Sequence, residues 1–387
     1  MPTPLSRGLR LAFGACVLAA ALVAALSGYQ PAAAKPGEIL NVWPLPGGGP
    51  GGSEAFRILY RSTGLKGEPI EVSAAIFIPA GPAPAGGRNI IAWAHPTSGV
   101  VEKCAPSLLP DVAGMTWDLP QMLAKGYIVV GTDYPGLGTP ELHPYLIGES
   151  EGRAVLDSVR AARALPNSRA SNRFVAWGHS QGGHAVLYAG ELAKSYAPEL
   201  NLLGVAAAAP ATNLVELFDA DKSTAAGKNL TAMALYSWSR LTGDPASSMV
   251  EPDAMRPYEA MATTCIESIA NLEALQRDEK NLTGKRFLKA NPASTEPWKG
   301  LMQRNSPGNR RQPVPVFLAQ GTADTIVRPA ITKQFGNRLC AQGTRVMFVE
   351  LPGTSHTFAA RDSVRTALKW MDERFRGAPA PSVCGRR

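Results

Sequence analysis

The sequence predicts an α/β fold: a mostly parallel central sheet with helices on both faces, interrupted late in the chain by a mainly helical insertion. Three observations carry this. Short continuous apolar runs, the mark of strands covered on both faces, alternate with segments of helical period. One such run leads through Gly178-His179-Ser180-Gln181-Gly182-Gly183 into a helical stretch, a sharp strand–turn–helix corner with a serine at its tip. The alternation then lapses over residues 211–312 and resumes afterwards.

The chain opens with a segment that reads as an export signal rather than as fold. Arg7 and Arg10 precede an apolar run over 11–26, and Ala32-Ala33-Ala34 offers a small-residue cleavage site before Lys35. A retained N-terminal anchor is the alternative. Cys16 lies inside the run, which argues against lipid attachment at a processed cysteine. No later stretch is long and apolar enough to span a bilayer. Residues 1–34 are therefore set aside as signal peptide, and the protein is expected to be secreted, in a periplasmic or extracellular setting.

Residues 35–53, rich in Pro and Gly, read as an extended arm. Residues 55–62 and 72–78 read as an antiparallel pair across a Gly64-Leu65-Lys66-Gly67 turn. Residues 89–94 form the first clearly buried strand. A helix over 115–125, which Pro120 breaks or restarts, ends at Gly126 and leads to a strand over 127–131. A helix over 147–165 precedes the strand 173–177, and the helix 183–196 leaves the corner. Strands follow at 202–209, 314–319 and 345–350, with helices at 329–339 and 362–375. The interruption holds helical pieces at 232–239, 260–275 and 298–302. The expected organisation is thus a core over 35–210, a helical cap domain over 211–312 and a returning core over 313–387. That is about 350 residues, suited to one core with a large insertion.

The formal net charge of +8 falls to about +6 without the leader and is spread along the chain. No dense Lys/Arg tract is present, which argues against a nucleic-acid partner. Four cysteines remain after processing: Cys104, Cys265, Cys340 and Cys384. An even number in an exported chain points to two disulfides. Three pairings are open, and no spacing suits a metal.

The serine at the corner tip needs a base, an acid and an oxyanion hole before it can form an acyl-enzyme. By itself the corner could be a plain Gly-rich turn. His356 follows the last strand, in Pro352-Gly353-Thr354-Ser355-His356, and Asp324 follows the strand before it, in Gly321-Thr322-Ala323-Asp324. Each alone reads equally as a surface-loop histidine or a turn-capping aspartate. Together, in the order Ser180, Asp324, His356 and each at a strand end, they read as a nucleophilic triad. The oxyanion donors should be the amide of Gln181 and one amide of His95-Pro96-Thr97-Ser98-Gly99, the loop after the first buried strand. Pro96 has no N–H, which makes Thr97 the candidate, with His95 or Ser98 behind it. The Thr97 side chain reads equally as an added hydroxyl donor or as a plain turn residue.

His179 and His184 are five apart, not the four of a helical zinc pair, so no metal is expected. His184 reads as packing under its helix, His179 as scaffolding beside the serine and His143 as a surface residue. Tyr134 and Leu137, on the functional edge, and Leu214, Leu217, Phe218 and Trp238, in the insertion, are candidates to line an acyl pocket. A role in the local core is the plainer reading of each.

The residues Trp177-Gly178-His179-Ser180-Gln181-Gly182-Gly183, the Gly321–Asp324 turn and His356 resemble those of the α/β-hydrolases. More narrowly, the chain is similar to the secretory lipase family, which includes the fungal lipase A type and bacterial relatives. His95-Pro96-Thr97-Ser98-Gly99, followed by Cys104-Ala105-Pro106-Ser107, resembles the family's oxyanion loop, with Pro96 where bacterial relatives often carry glycine. The resemblance implies a secreted, cofactor-free serine hydrolase of carboxylic esters with a helical cap. It also implies two disulfides, expected as Cys104–Cys265 and Cys340–Cys384. The expected substrate is a lipid-like acyl ester, taken by a monomer in transient contact with a lipid interface. An esterase of small soluble esters or polyesters and a secreted acyltransferase are the alternatives. A noncatalytic hydrolase-like binding protein is a remote one, because Ser180, Asp324 and His356 are all present.

Overall fold

The computed structural model describes residues 35–266, 269–282 and 285–385. The predicted leader over 1–34 lies outside the described residues. From Pro36 onward the chain forms one compact unit.

Among the described residues nine strands make a single sheet: β1 (Ile39–Pro44), β2 (Glu54–Thr63), β3 (Pro69–Ile78), β4 (Arg88–Ala94), β5 (Ile128–Thr132), β6 (Ala170–His179), β7 (Asn201–Ala208), β8 (Val316–Gly321) and β9 (Val346–Leu351), in the spatial order β1-β2-β3-β5-β4-β6-β7-β8-β9. The β1/β2, β2/β3 and β3/β5 pairs are antiparallel, and every pair from β5 to β9 is parallel. Parallel register brings the C-terminal ends together: Ala94 pairs with both Thr132 and Gly178, His179 with Ala208, and Gly321 with Leu351. The loops after β4, β6, β8 and β9 therefore all emerge on one edge, where such sheets bind ligands.

The continuous apolar runs feed two cores, because side chains alternate across a strand. Ile90, Ala92, Phe174, Ala176 and Leu318 face one side, with α2 (Gly148–Ala164), α3 (Gln181–Tyr196) and α9 (Pro329–Ala341). Ile91, Trp93, Val175, Trp177 and Phe317 face the other, with α1 (Leu119–Ala124) and α10 (Ala359–Phe375).

Between β7 and β8 stand, among the described residues, five α-helices: α4 (Leu214–Asp221), α5 (Ala225–Thr242), α6 (Met255–Thr263), α7 (Ile269–Lys280) and α8 (Trp298–Arg304). The apolar faces of α4, α5, α6 and α8 form a third core. The expected helix over 260–275 is two pieces. α6 stops at Thr263, Thr264 is extended, and Cys265 is tied to Cys104. The Pro/Gly-rich arm carries a strand the pattern did not suggest. β1 pairs with β2 as an edge strand, and four of its six residues are exposed, so it shows no alternation. α4 was also not foreseen; the Asn213 side chain caps it by accepting from the Glu216 amide.

Cys104–Cys265 and Cys340–Cys384 are both formed, in the expected pairing. They are consistent with an extracellular setting. Among the described residues no helix is long and apolar enough to cross a membrane, and no group of three or more His, Cys, Asp or Glu could hold a metal.

Candidate active site

Ser180 sits between β6 and α3 with φ 55° and ψ −114°, a strained conformation for a residue with a Cβ. Its surroundings hold it there. Its amide donates to the Ala208 carbonyl at the end of β7, and its carbonyl accepts from His184 and Ala211. The flanking glycines are required by close approach. A Cβ on Gly178 would lie 2.2 Å from the Gly182 carbonyl oxygen, and one on Gly182 would lie 1.9 Å from that of Ala94. The second contact also fixes where the loop after β4 runs: directly against the first turn of α3.

His356 leaves β9 in a short 3-10 turn, and its Nε2 is 2.9 Å from Ser180 Oγ. Its Nδ1 is 2.8 Å from Asp324 Oδ2. Asp324, 4% exposed, accepts from the Ile326 and Val327 amides on Oδ1, and from the Gln320 side-chain amide on Oδ2. All three partners are obligatory donors, so the carboxylate is an acceptor throughout. His356 Nδ1 must then carry the proton, which leaves Nε2 bare to accept from the serine hydroxyl. The geometry is that of a serine–imidazole–carboxylate relay.

His179, beside the serine, donates from Nε2 to the His356 carbonyl oxygen at 2.9 Å. Burial, and then the neighbouring His356, push its pKa down to about 3, so it is neutral. His184 packs under its helix, with Nδ1 2.7 Å from Glu151 Oε2 and Nε2 2.8 Å from the Asn305 carbonyl. His143 is not a surface residue. It is 1% exposed, donates from Nδ1 to the Pro135 carbonyl and meets the Gln181 side-chain amide with Nε2, and burial pushes its pKa down to about 4. Residues 143–147 run beneath the insertion, which is why a Pro-flanked loop is enclosed.

Gln181 is the first residue of α3, so its amide lacks an intrahelical acceptor and lies at the positive end of the helix. A cavity of about 500 Å³ opens over Ser180 and His356. Thr97 lines it, whereas His95 and Ser98 do not. His95 is turned inward, with Nδ1 on the Pro96 carbonyl, and Ser98 accepts the Ile266 amide on its carbonyl oxygen. The apolar wall is built by Met115, Trp117, Leu230, Ile266 and Ile326.

None of the six residues expected to line an acyl pocket reaches this cavity. Tyr134 and Leu137 are fully buried in the sheet core, with the Tyr134 hydroxyl donating to the His95 carbonyl. Leu214, Leu217, Phe218 and Trp238 form the core of the insertion, where the Phe218 and Trp238 rings stand 5.6 Å apart. Helical apolar spacing reports which face is buried, not which cavity it borders. One signal for the actual wall was available. Ile266 follows Cys265, and pairing Cys265 with Cys104 brings it to the loop carrying Thr97.

Residues 115–382 match the protein family described as secretory lipase. Lipase A of Moesziomyces aphidis is 25% identical over 369 residues, covering 86% of this chain and 74% of that protein. Among solved structures, Candida antarctica lipase A in its closed state superposes with a TM-score of 0.75 at 20% identity, covering 91% of this chain and 85% of that one. A ligand-bound form of the rice cell wall degrading esterase LipA from Xanthomonas oryzae gives a TM-score of 0.70 at 20% identity, covering 86% and 95%.

Proposed function

The chain belongs to the secretory lipase family, within the α/β-hydrolases, and we propose that it is a secreted serine hydrolase that cleaves lipid-like carboxylic esters through an acyl-enzyme on Ser180. The observation that carries the reading is the continuous Ser180–His356–Asp324 relay at the floor of a largely apolar cavity.

The chemistry follows from the hydrogen-bond accounting. Ser180 Oγ attacks the ester carbonyl while His356 Nε2 takes its proton. The Asp324 carboxylate keeps the imidazole in the required tautomer and stabilises the imidazolium that forms. Negative charge developing on the carbonyl oxygen is met by the Gln181 amide and by Thr97. Each such donor contributes about 3 kcal/mol to the transition state. The imidazolium then protonates the leaving alcohol. Water, activated by the same nitrogen, releases the acid and restores Ser180. No cofactor enters any step.

The helical segment over 211–312 acts as a cap. Leu230 from α5 and Ile266 from the α6–α7 link supply the larger apolar side chains of its share of the cavity wall, the surface an acyl chain would bury. Rates on p-nitrophenyl esters of increasing acyl length test the substrate class. A lipid-ester hydrolase should favour medium or long chains over acetate, and a monotonic fall from acetate onward would contradict it. Emulsified triglyceride and polyester film extend the same series.

A further inference from the structure

The two residues assigned to the oxyanion hole are held by one short segment, residues 143–146. The Tyr145 hydroxyl is 2.9 Å from Thr97 Oγ1. His143 Nε2 is 3.1 Å from the side-chain nitrogen of Gln181. Leu146 donates its amide to Glu151 Oε1, which also accepts from the Gln181 side chain at 2.8 Å. The segment is pinned in turn by α5. The Tyr145 amide donates to Ser237 Oγ, the Ser237 hydroxyl donates to the His143 carbonyl at 2.6 Å, and the Trp238 indole N–H donates to the Tyr145 carbonyl at 2.7 Å. The same helix sends Leu230 into the cavity.

The Tyr145 contact has a chemical consequence. A phenol and an aliphatic hydroxyl share one hydrogen bond, and either oxygen can be the donor. Tyr145 is 2% exposed, and among the described residues its hydroxyl meets only Thr97, whereas Thr97 is half-buried and borders the cavity; the phenol proton, which has nowhere else to go, is placed on Thr97 Oγ1. The Thr97 proton is then free to point elsewhere, and Thr97 lines the cavity that holds Ser180. A hydroxyl donor here would also compensate for Pro96, which supplies no amide to this loop.

We propose that Tyr145 is a positioning residue that orients the Thr97 hydroxyl as a side-chain donor to the oxyanion, within a frame set by residues 143–146 and anchored on the cap helix α5. The proposal rests on the serine-hydrolase reading above. Thr97 touches the reacting oxygen, and Tyr145 acts only through Thr97.

A double-mutant cycle separates this role from simple packing. Thr97→Val should lower kcat on a p-nitrophenyl ester about 100-fold, with KM within about twofold. Thr97→Ser, which keeps the hydroxyl, should recover most of that loss. Tyr145→Phe should lower kcat about 10-fold in the wild-type background and have no further effect in Thr97→Val, because there is no longer a hydroxyl to orient. A packing role predicts the opposite: the Tyr145→Phe factor persists in the Thr97→Val background, and that result overturns the proposal. So does wild-type kcat in either single variant. If Thr97→Val does not fold, Thr97→Ala takes its place in the cycle under the same criteria. Ser180→Ala in the same assay keeps the two levels apart. Undiminished activity there removes the hydrolase reading, whereas lost activity there with wild-type kcat in Thr97→Val removes only the role of Thr97 and Tyr145.

Discussion

The His179 imidazole donates a hydrogen bond to the backbone carbonyl of His356, Nε2 to oxygen at 2.9 Å, with the two rings 5.0 Å apart. The residue before the candidate nucleophile thus holds the backbone of the candidate base, tying the β6 corner to the loop after β9.

Burial of this imidazole, and of His143, sets a pH dependence of stability. An unfolded imidazole protonates near pH 6.5, whereas His179 does so only near 3 and His143 near 4, both mainly because they are buried. Below about pH 6.5 the unfolded chain therefore binds more protons than the folded one, and stability falls as pH drops toward those values. His179→Gln, which keeps a donor and cannot titrate, should flatten the decline. Urea unfolding at pH 7.5 and pH 4.5 checks this, and an unchanged pH slope in the variant would contradict it.

Asp324→Asn should leave the fold intact and lower kcat by about 10⁴-fold. An amide facing His356 Nδ1 permits the wrong imidazole tautomer. Circular dichroism and steady-state kinetics on the same sample decide the matter; a loss below tenfold would argue against the assigned role.

Asp221, at the end of α4, is buried, and neither carboxylate oxygen has a hydrogen-bond partner among the described residues. Burial raises its pKa to about 6. An acid whose folded pKa lies above its unfolded value of 3.8 loses stability as pH rises between the two. Asp221→Asn should therefore stabilise the protein at pH 7.5 by about 1–3 kcal/mol, and by much less at pH 4. Thermal melts at the two pH values test this, and equal shifts would contradict it.

The Cys104–Cys265 bridge sits one residue from Ile266, whose amide donates to the Ser98 carbonyl at 2.7 Å. Replacing both cysteines by serine should cost about 2–4 kcal/mol and loosen the cavity wall beside Thr97. kcat/KM should fall more for long acyl chains than for acetate. Replacing Cys340 and Cys384, on α9 and the C-terminal tail, should lower stability without changing the chain-length profile. Identical profiles for the two variants would separate the first bridge from the cavity.

The parts of this fold that were legible in sequence are those where one physical rule dominates. Strands β4 to β8 are buried on both faces and read as apolar runs, and β9, half-buried at the sheet edge, keeps the same composition. Ser180, Asp324 and His356 stand out as candidates because each lies just past such a run, and parallel register brings those ends to one edge. β1 was missed because its exposed residues carry no alternation. The α6–α7 break was missed because a disulfide and an extended Thr264, rather than Gly or Pro, interrupt a helical composition. The pocket was misread for a related reason. Phe218 and Trp238 pack on each other, while Met115 and Trp117, expected inside a helix over 115–125, precede α1, which starts at Leu119, and Ile266 lies just past α6; all three reach the cavity.

The central claim is that Ser180 forms the acyl-enzyme, and hydrolysis of p-nitrophenyl butyrate by purified Ser180→Ala beside wild type tests it most directly. A fall of at least about 10⁴-fold in kcat, with the melting temperature retained, is the predicted result. Equal rates for the two proteins would contradict the assignment.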